Sequence, residues 1–125
     1  MDLSTIKTTE RDVNLAHPKT GEDLGLVFHL RSPDSDEVAG VNRAWQNKRL
    51  QPKNRNKAIT SEELEAVADN RIKAAVMGWT WEDDELTLNG EQPEFSPQAL
   101  RAMLKDYPWI RDFLAAECED VTSFF

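Results

Sequence analysis

Few side chains in this sequence have the type and spacing that catalysis or metal binding requires. A β-hairpin would bring the two histidines, His17 and His29, near each other, but two imidazoles alone make an incomplete metal site. Cys118 is the one cysteine, and it follows Leu114 by four residues on an apolar helix face, without a histidine nearby in sequence. That position indicates a core residue rather than an activated thiol. We therefore expect no metal ion and no cofactor.

Acidic residues are the remaining candidates for chemistry. The acids of residues 82–85 are consecutive, whereas a calcium loop alternates its oxygen ligands around a central glycine and ends in glutamate. Asp34 and Asp36 would serve as paired carboxylates in acid–base catalysis, but helix capping uses the same residue types. The sequence also contains neither a phosphate-binding glycine loop nor a Gly-x-Ser-x-Gly elbow. We therefore predict a protein that is not an enzyme.

Aromatic side chains are concentrated in residues 78–109, which hold three of the four tryptophans. Such side chains anchor apolar cores, and they are also enriched at protein interfaces. We predict that the aromatic residues of this stretch form an apolar groove for a protein partner. The predicted partner-binding residues are Trp79, Trp81, Phe95, Tyr107 and Trp109.

The charge of the chain is unevenly distributed. A net charge of −8 favours solubility and argues against general affinity for nucleic acid. Residues 38–61 nevertheless contain basic residues and no acid, which fits either a solvated helix end with a basic loop or a patch for a charged partner. Trp45 would add stacking to such a patch, although its place on an apolar stripe predicts a core residue. The basic residues are Arg43, Lys48, Arg49, Lys53, Arg55 and Lys57.

The elements that must position these residues follow from periodicity. The length of 125 residues suits one domain, 1–125, whose polar residues 1–11 are expected to fray or to add an edge strand. Alternating apolar residues predict strands at 12–16 and 23–31, joined by the turn HPKTGED. Residues 12–31 are therefore predicted to form a β-hairpin.

Residues 34–125 are predicted to be mainly helical. An apolar stripe through Val38, Val41 and Trp45 predicts a helix over about 35–50. A capping box opens the next helix, over 61–77, and its stripe runs from Leu64 to Trp79. Two further helices are predicted to begin at Pro97 and Pro108 and to extend to about 106 and 119. The predicted fold is α+β, with an N-terminal β-hairpin followed by a four-helix part.

The link between the second and third predicted helices should be irregular. Asn89-Gly90 is a turn dipeptide, and Leu86 and Leu88 are expected to make at most one short strand. If the chain becomes extended after Gly78, Trp79 and Trp81 are expected to point in opposite directions.

Several short motifs resemble those of a known family. In chain order they are P-K-T-G-E in the hairpin turn, S-P-D-S-D before a helix, V-M-G-W, E-F-S-P, Y-P-W-I-R-D and a terminal S-F-F. Over about residues 12–125 their order resembles that of the tail assembly chaperones of long-tailed bacteriophages and prophages. The motifs carry no diagnostic chemistry, and the resemblance identifies no catalytic or binding residue.

The resemblance implies a non-enzymatic helper in phage morphogenesis. Such proteins bind the tape-measure protein, and in some systems the tail tube subunit, in the cytoplasm of the bacterial host, and they are generally absent from the mature virion. Self-association is compatible with that role. The sequence shows neither a signal peptide nor an apolar run of the roughly 18 residues that a membrane span needs. The alternative is a small nucleic-acid-associated or regulatory phage protein that uses the basic segment 43–57.

Overall fold

A computed structural model describes residues 2–54 and 58–125 of the chain. It confirms the α+β class and the N-terminal β-hairpin, and it adds a third strand. Among the described residues, no helix has both the length and the apolar character needed to cross a membrane. The elements are β1 (Arg11–Ala16), β2 (Asp23–Leu30), α1 (Asp36–Leu50), α2 (Ser61–Ala75), β3 (Val76–Trp81), α3 (Pro97–Asp106) and α4 (Pro108–Glu119).

The third strand lies where a helix was predicted to continue to residue 77. The sheet is antiparallel with the order β1-β2-β3, so the hairpin strand β2 is central. In β2, Leu26 lies opposite Trp81 of β3, and Phe28 lies opposite Trp79 of β3. Extending the helix past Ala75 was wrong, because the backbone groups on the free side of β2 find their partners in the chain that follows α2.

The expectation that Trp79 and Trp81 point in opposite directions was also wrong. Side chains two residues apart in a strand lie on the same face of the sheet. Both tryptophans lie on the face that carries Leu26 and Phe28, and this face packs against the helices. The resulting juxtaposition of two indoles is central to the candidate site.

One hydrophobic core joins the sheet to α2, α3 and α4. Phe28, Leu30, Ile72 and Leu114 are fully buried in it. The apolar face of the hairpin is thereby covered, as an isolated hairpin in water would require. Leu64 is 55% exposed, so the buried stripe of α2 begins later than predicted.

Side chains cap the starts of the first three helices. The Thr60 hydroxyl accepts the Glu63 N–H at 3.1 Å, and the Ser96 hydroxyl accepts the Ala99 N–H at 3.0 Å. Ser35 is the N-cap of α1. These bonds satisfy backbone donors that have no partner inside a helix.

Residues 2–10 do not add a strand to the sheet. The buried Thr8 donates its hydroxyl to the Asp34 carboxylate at 2.6 Å, so Asp34 anchors the N-terminal segment and is not the helix cap. The Thr9 N–H donates to the Phe124 carbonyl at 2.8 Å, which ties the N-terminal segment to the C-terminal one. Phe124 is buried, whereas Phe125 is exposed.

Candidate functional site

Two tryptophans of β3 clamp the segment that follows the acidic run. The indole N–H groups of Trp79 and Trp81 both donate to the Pro93 carbonyl, at 2.9 Å and 3.0 Å. Trp79 is only 8% exposed, and its ring makes edge-to-face contacts with Phe28 and Phe95 at centroid distances of 6.1 Å and 5.1 Å. These geometries are favourable for aromatic pairs, so Trp79 and Phe95 serve the packing of this region.

The other three predicted residues line one apolar groove, which we call the aromatic groove. Trp81, Tyr107 and Trp109 are all half-buried and meet there, although they come from β3 and from the α3–α4 junction. Pro108 contributes to this arrangement, because it starts a new helix directly after Tyr107. The volume of the groove is about 160 Å³. Its remaining lining residues are Leu15, Leu24, Leu26, Leu86, Thr87, Leu88, Asn89, Met103 and Ile110.

The segment that borders the aromatic groove is held by several hydrogen bonds. The Gln92 side-chain amide donates to the carbonyls of Asp83 and Leu86, at 2.9 Å and 2.8 Å. Leu88 forms an isolated bridge with Glu91 in place of the short strand expected at 86–88. The segment therefore has defined anchor points, although little of it is regular secondary structure.

The acidic run lies close to the turn end of β2. The Glu82 N–H donates to the Gly25 carbonyl at 2.7 Å. Gly25 has a φ of +98°, and a Cβ at this position would lie 2.6 Å from the Asp83 Cβ. Glycine is therefore needed both for the backbone conformation and for the close approach. All four acids of residues 82–85 are exposed, and Leu86, which follows them directly, lines the aromatic groove.

The described part of the basic segment lies on α1 and in the short turn that follows it. Arg43, Lys48 and Arg49 belong to α1, and Lys53 belongs to a short 3-10 turn after it. The predictions for Arg55 and Lys57 lie outside the described residues. Trp45 is half-buried and lines a separate groove between α1 and α2, so placing it in the core was wrong.

The hairpin does not bring the two histidines together. His17 lies in the turn, where its Nδ1 accepts the backbone N–H groups of Lys19 and Thr20 at 3.1 Å and 3.3 Å. His29 pairs instead with Asp12 across β1 and β2. The two imidazoles therefore do not form the pair considered in the sequence analysis.

His29 belongs to a polar row that crosses all three strands. Its Nδ1 lies 2.7 Å from the Asp12 carboxylate, and its Nε2 lies 2.8 Å from the Thr80 hydroxyl. The same order of groups occurs in nucleophilic catalysis. Here Asp12 and Thr80 are exposed, and none of the three residues lines the aromatic groove. Cross-strand polar pairing accounts for the row. Sequence periodicity did not reveal it, because the strand of Thr80 was not predicted.

Cys118 is half-buried near the end of α4. Burial raises the pKa of its thiol to about 11, and the neighbouring carboxylates of Glu117 and Glu119 add to the rise. The thiol is consequently protonated near neutral pH and is a poor nucleophile. Within residues 2–54 and 58–125, no group of three or more His, Cys, Asp or Glu side chains is placed to hold a metal ion.

No protein-family model matches this chain, and comparisons with curated proteins and with solved structures also yield no match.

Proposed function

We propose that this protein is a non-enzymatic tail assembly chaperone of a long-tailed bacteriophage or prophage. The observation that supports the proposal is the aromatic groove, in which Trp81, Tyr107 and Trp109 border an apolar depression over the core. The phage context rests on the resemblance of the sequence motifs. The proposed partners are the tape-measure protein and, secondarily, the tail tube subunit, met in the cytoplasm of the bacterial host before the virion is complete.

The size of the aromatic groove favours an anchoring side chain over a small-molecule ligand. Its volume of about 160 Å³ is below the roughly 300–1,000 Å³ of typical ligand pockets. A large apolar side chain from a partner helix suits a depression of this size. Tryptophan and tyrosine are also frequent at the positions that carry most of the binding energy in interfaces.

The charge beside the aromatic groove favours a partner of opposite charge. The four exposed acids of residues 82–85 precede Leu86, which lines the groove. A partner helix with an apolar stripe flanked by Lys or Arg would therefore be complementary to this surface. A mainly acidic helix would be repelled.

The chaperoning mechanism follows from the exposure of apolar surface. A tape-measure protein is long and helical, and its apolar stripes are exposed until the tail tube encloses them. Exposed apolar patches promote aggregation, and an apolar helix face can be covered by a groove on another protein. Binding in the aromatic groove would keep these stripes covered during assembly.

Binding measurements with variants test this proposal. Trp109→Ala should weaken binding of a phage tape-measure protein, the proposed partner, by at least about tenfold, which corresponds to about 1.4 kcal/mol. Phe125→Ala is the matched control, because Phe125 is a 66% exposed aromatic residue that does not line the groove. Thermal unfolding of both variants should remain close to that of the unchanged protein. Equal binding by the two variants would refute the assignment of the groove.

The alternative function is nucleic-acid binding through the basic segment 43–57. The salt dependence of binding distinguishes it from binding in the aromatic groove. Phosphate binding weakens steeply with added salt because counterions are released, whereas apolar groove binding depends on salt far less. Retained affinity for the tape-measure protein at high salt supports the aromatic groove. Tight, salt-sensitive binding of nucleic acid, without binding of a tail protein, would favour the alternative.

A further inference from the structure

A second and larger groove runs along the α1–α2 pair. The two helices pack on each other, and the Arg71 guanidinium donates to the Asn42 side-chain oxygen at 2.8 Å between them. The groove has a volume of about 520 Å³, and α1 packs chiefly on α2. The lining residues are Val41, Ala44, Trp45 and Lys48 of α1, and Glu63, Ala66, Val67, Asn70, Lys73 and Ala74 of α2.

The lining residues follow helical periodicity on both helices. Those of α1 are spaced i, i+3, i+4 and i+7, and those of α2 continue the same pattern over three turns. Residues at this spacing lie along one face of each helix. Trp45 and Val67 are only half-buried, while Ala44 and Ala66 are exposed. Small side chains at these positions would allow another helix to approach closely.

We propose that a second copy of this chain occupies this groove, with the two α2 helices antiparallel across a two-fold axis. The result is a four-helix arrangement of two α1–α2 pairs. This self-association surface is separate from the aromatic groove and goes beyond the proposed function. Its lining residues include none of Trp81, Tyr107 and Trp109.

In this orientation, the charges along α2 of one copy are complementary to the charges along α2 of the other copy. Glu63 lies near the start of α2 and Lys73 near its end. When Ala66 lies opposite Asn70 of the second copy, Glu63 lies opposite Lys73 of that copy, and the two-fold axis repeats the pair. A parallel arrangement would instead place like charges together. The stripe therefore favours an isologous, antiparallel contact.

Charge reversal tests the arrangement by sedimentation velocity over a concentration series of the full chain. Glu63→Lys and Lys73→Glu should each weaken dimerisation by about tenfold, because the symmetry creates two like-charge contacts. An equimolar mixture of these two variants restores both opposite-charge pairs, so it should dimerise as well as the unchanged protein. Glu62→Lys is the control, since this exposed residue of the same helix does not line the groove.

A mixture that associates no better than its components would overturn the proposal. So would a chain that stays monomeric throughout the series, or a dimer that both reversals leave intact. A monomer that still binds the tape-measure protein through Trp109 would refute only the self-association. Loss of that binding with an intact, charge-sensitive dimer would refute only the proposed function.

Discussion

The shared carbonyl of Pro93 leads to a quantitative prediction about how the segment 82–95 is held. In Trp79→Phe or Trp81→Phe, one indole N–H is lost while the other still donates to the Pro93 oxygen. The loss of a neutral hydrogen bond costs about 0.5–1.5 kcal/mol. Trp79→Phe should cost about 1 kcal/mol more than Trp81→Phe, because Trp79 is buried and the smaller ring leaves a void.

The double variant leaves the Pro93 carbonyl without either indole donor. An unpaired, partly buried acceptor costs about 1–3 kcal/mol, so the double variant should lose about 1 kcal/mol more than the sum of the singles. Guanidinium unfolding followed by far-UV circular dichroism measures these free energies without relying on the altered tryptophan fluorescence. A loss within the roughly 5–15 kcal/mol of a typical domain keeps the variants measurable.

Additivity would contradict this account of the clamp. If the single effects sum to the double effect within about 0.5 kcal/mol, the two N–H groups do not share the support of one carbonyl. Trp45→Phe combined with Trp81→Phe is the control pair. Because Trp45 lies on the α1–α2 groove, these two substitutions should be additive.

Three further predictions concern single positions. Gly25→Ala should lower the free energy of unfolding in urea by at least about 2 kcal/mol, because the added Cβ would meet Asp83 and because φ at this position is +98°. Gly21→Ala is the control: its φ is +75°, but the space around it is open, so it should lose only about 1 kcal/mol. The Cys118 thiol has a pKa of about 11, compared with an ordinary value of 9.0. At about pH 8 it should therefore be alkylated roughly a hundredfold more slowly in the folded protein than after unfolding. Rapid alkylation of the folded protein would contradict the burial of the thiol. Thr60→Ala should cost about 1 kcal/mol in the same urea assay, and Thr60→Ser should lose little; equal losses would rule out the cap.

Local signals predicted much of the fold. The strands of the hairpin could be predicted because the face that carries Val13, Leu15, Leu26 and Phe28 packs on the core, which produces alternation of apolar residues in the sequence. The helix starts could be predicted because Thr60 and Ser96 cap backbone donors of their own helices. The capping interactions involve residues close in sequence, so a local sequence pattern is enough to predict them.

The third strand depended on a distant partner. Val76 and Trp79 are three residues apart, which fits an apolar helix face, and the periodicity of α2 therefore continued through them. Their actual state is decided by β2, whose Leu30 and Phe28 lie opposite them. Long-range pairing of this kind overrides local pattern.

For the candidate site, the sequence indicated which aromatic residues to consider but not how they are arranged in space. The aromatic stretch was identified, but sequence alone gave no means of separating Trp79, which lies in the core, from Trp109, which lines the groove. That distinction arises from tertiary packing, because the ring of Trp79 lies between Phe28 and Phe95 whereas Trp109 lies just after the break between α3 and α4. The opposite error occurred at Trp45, whose helical stripe predicted burial although its groove is open.

Fluorine NMR of the protein labelled with 5-fluorotryptophan tests the central claim most directly. The four tryptophans give four resonances, which single Trp→Phe substitutions assign. On addition of an apolar helical fragment of a phage tape-measure protein, the proposed partner, we predict shifts for Trp81 and Trp109, while Trp45 and the buried Trp79 keep their positions. Saturating fragment that leaves Trp81 and Trp109 unmoved, or that moves Trp45 alone, would contradict binding in the aromatic groove.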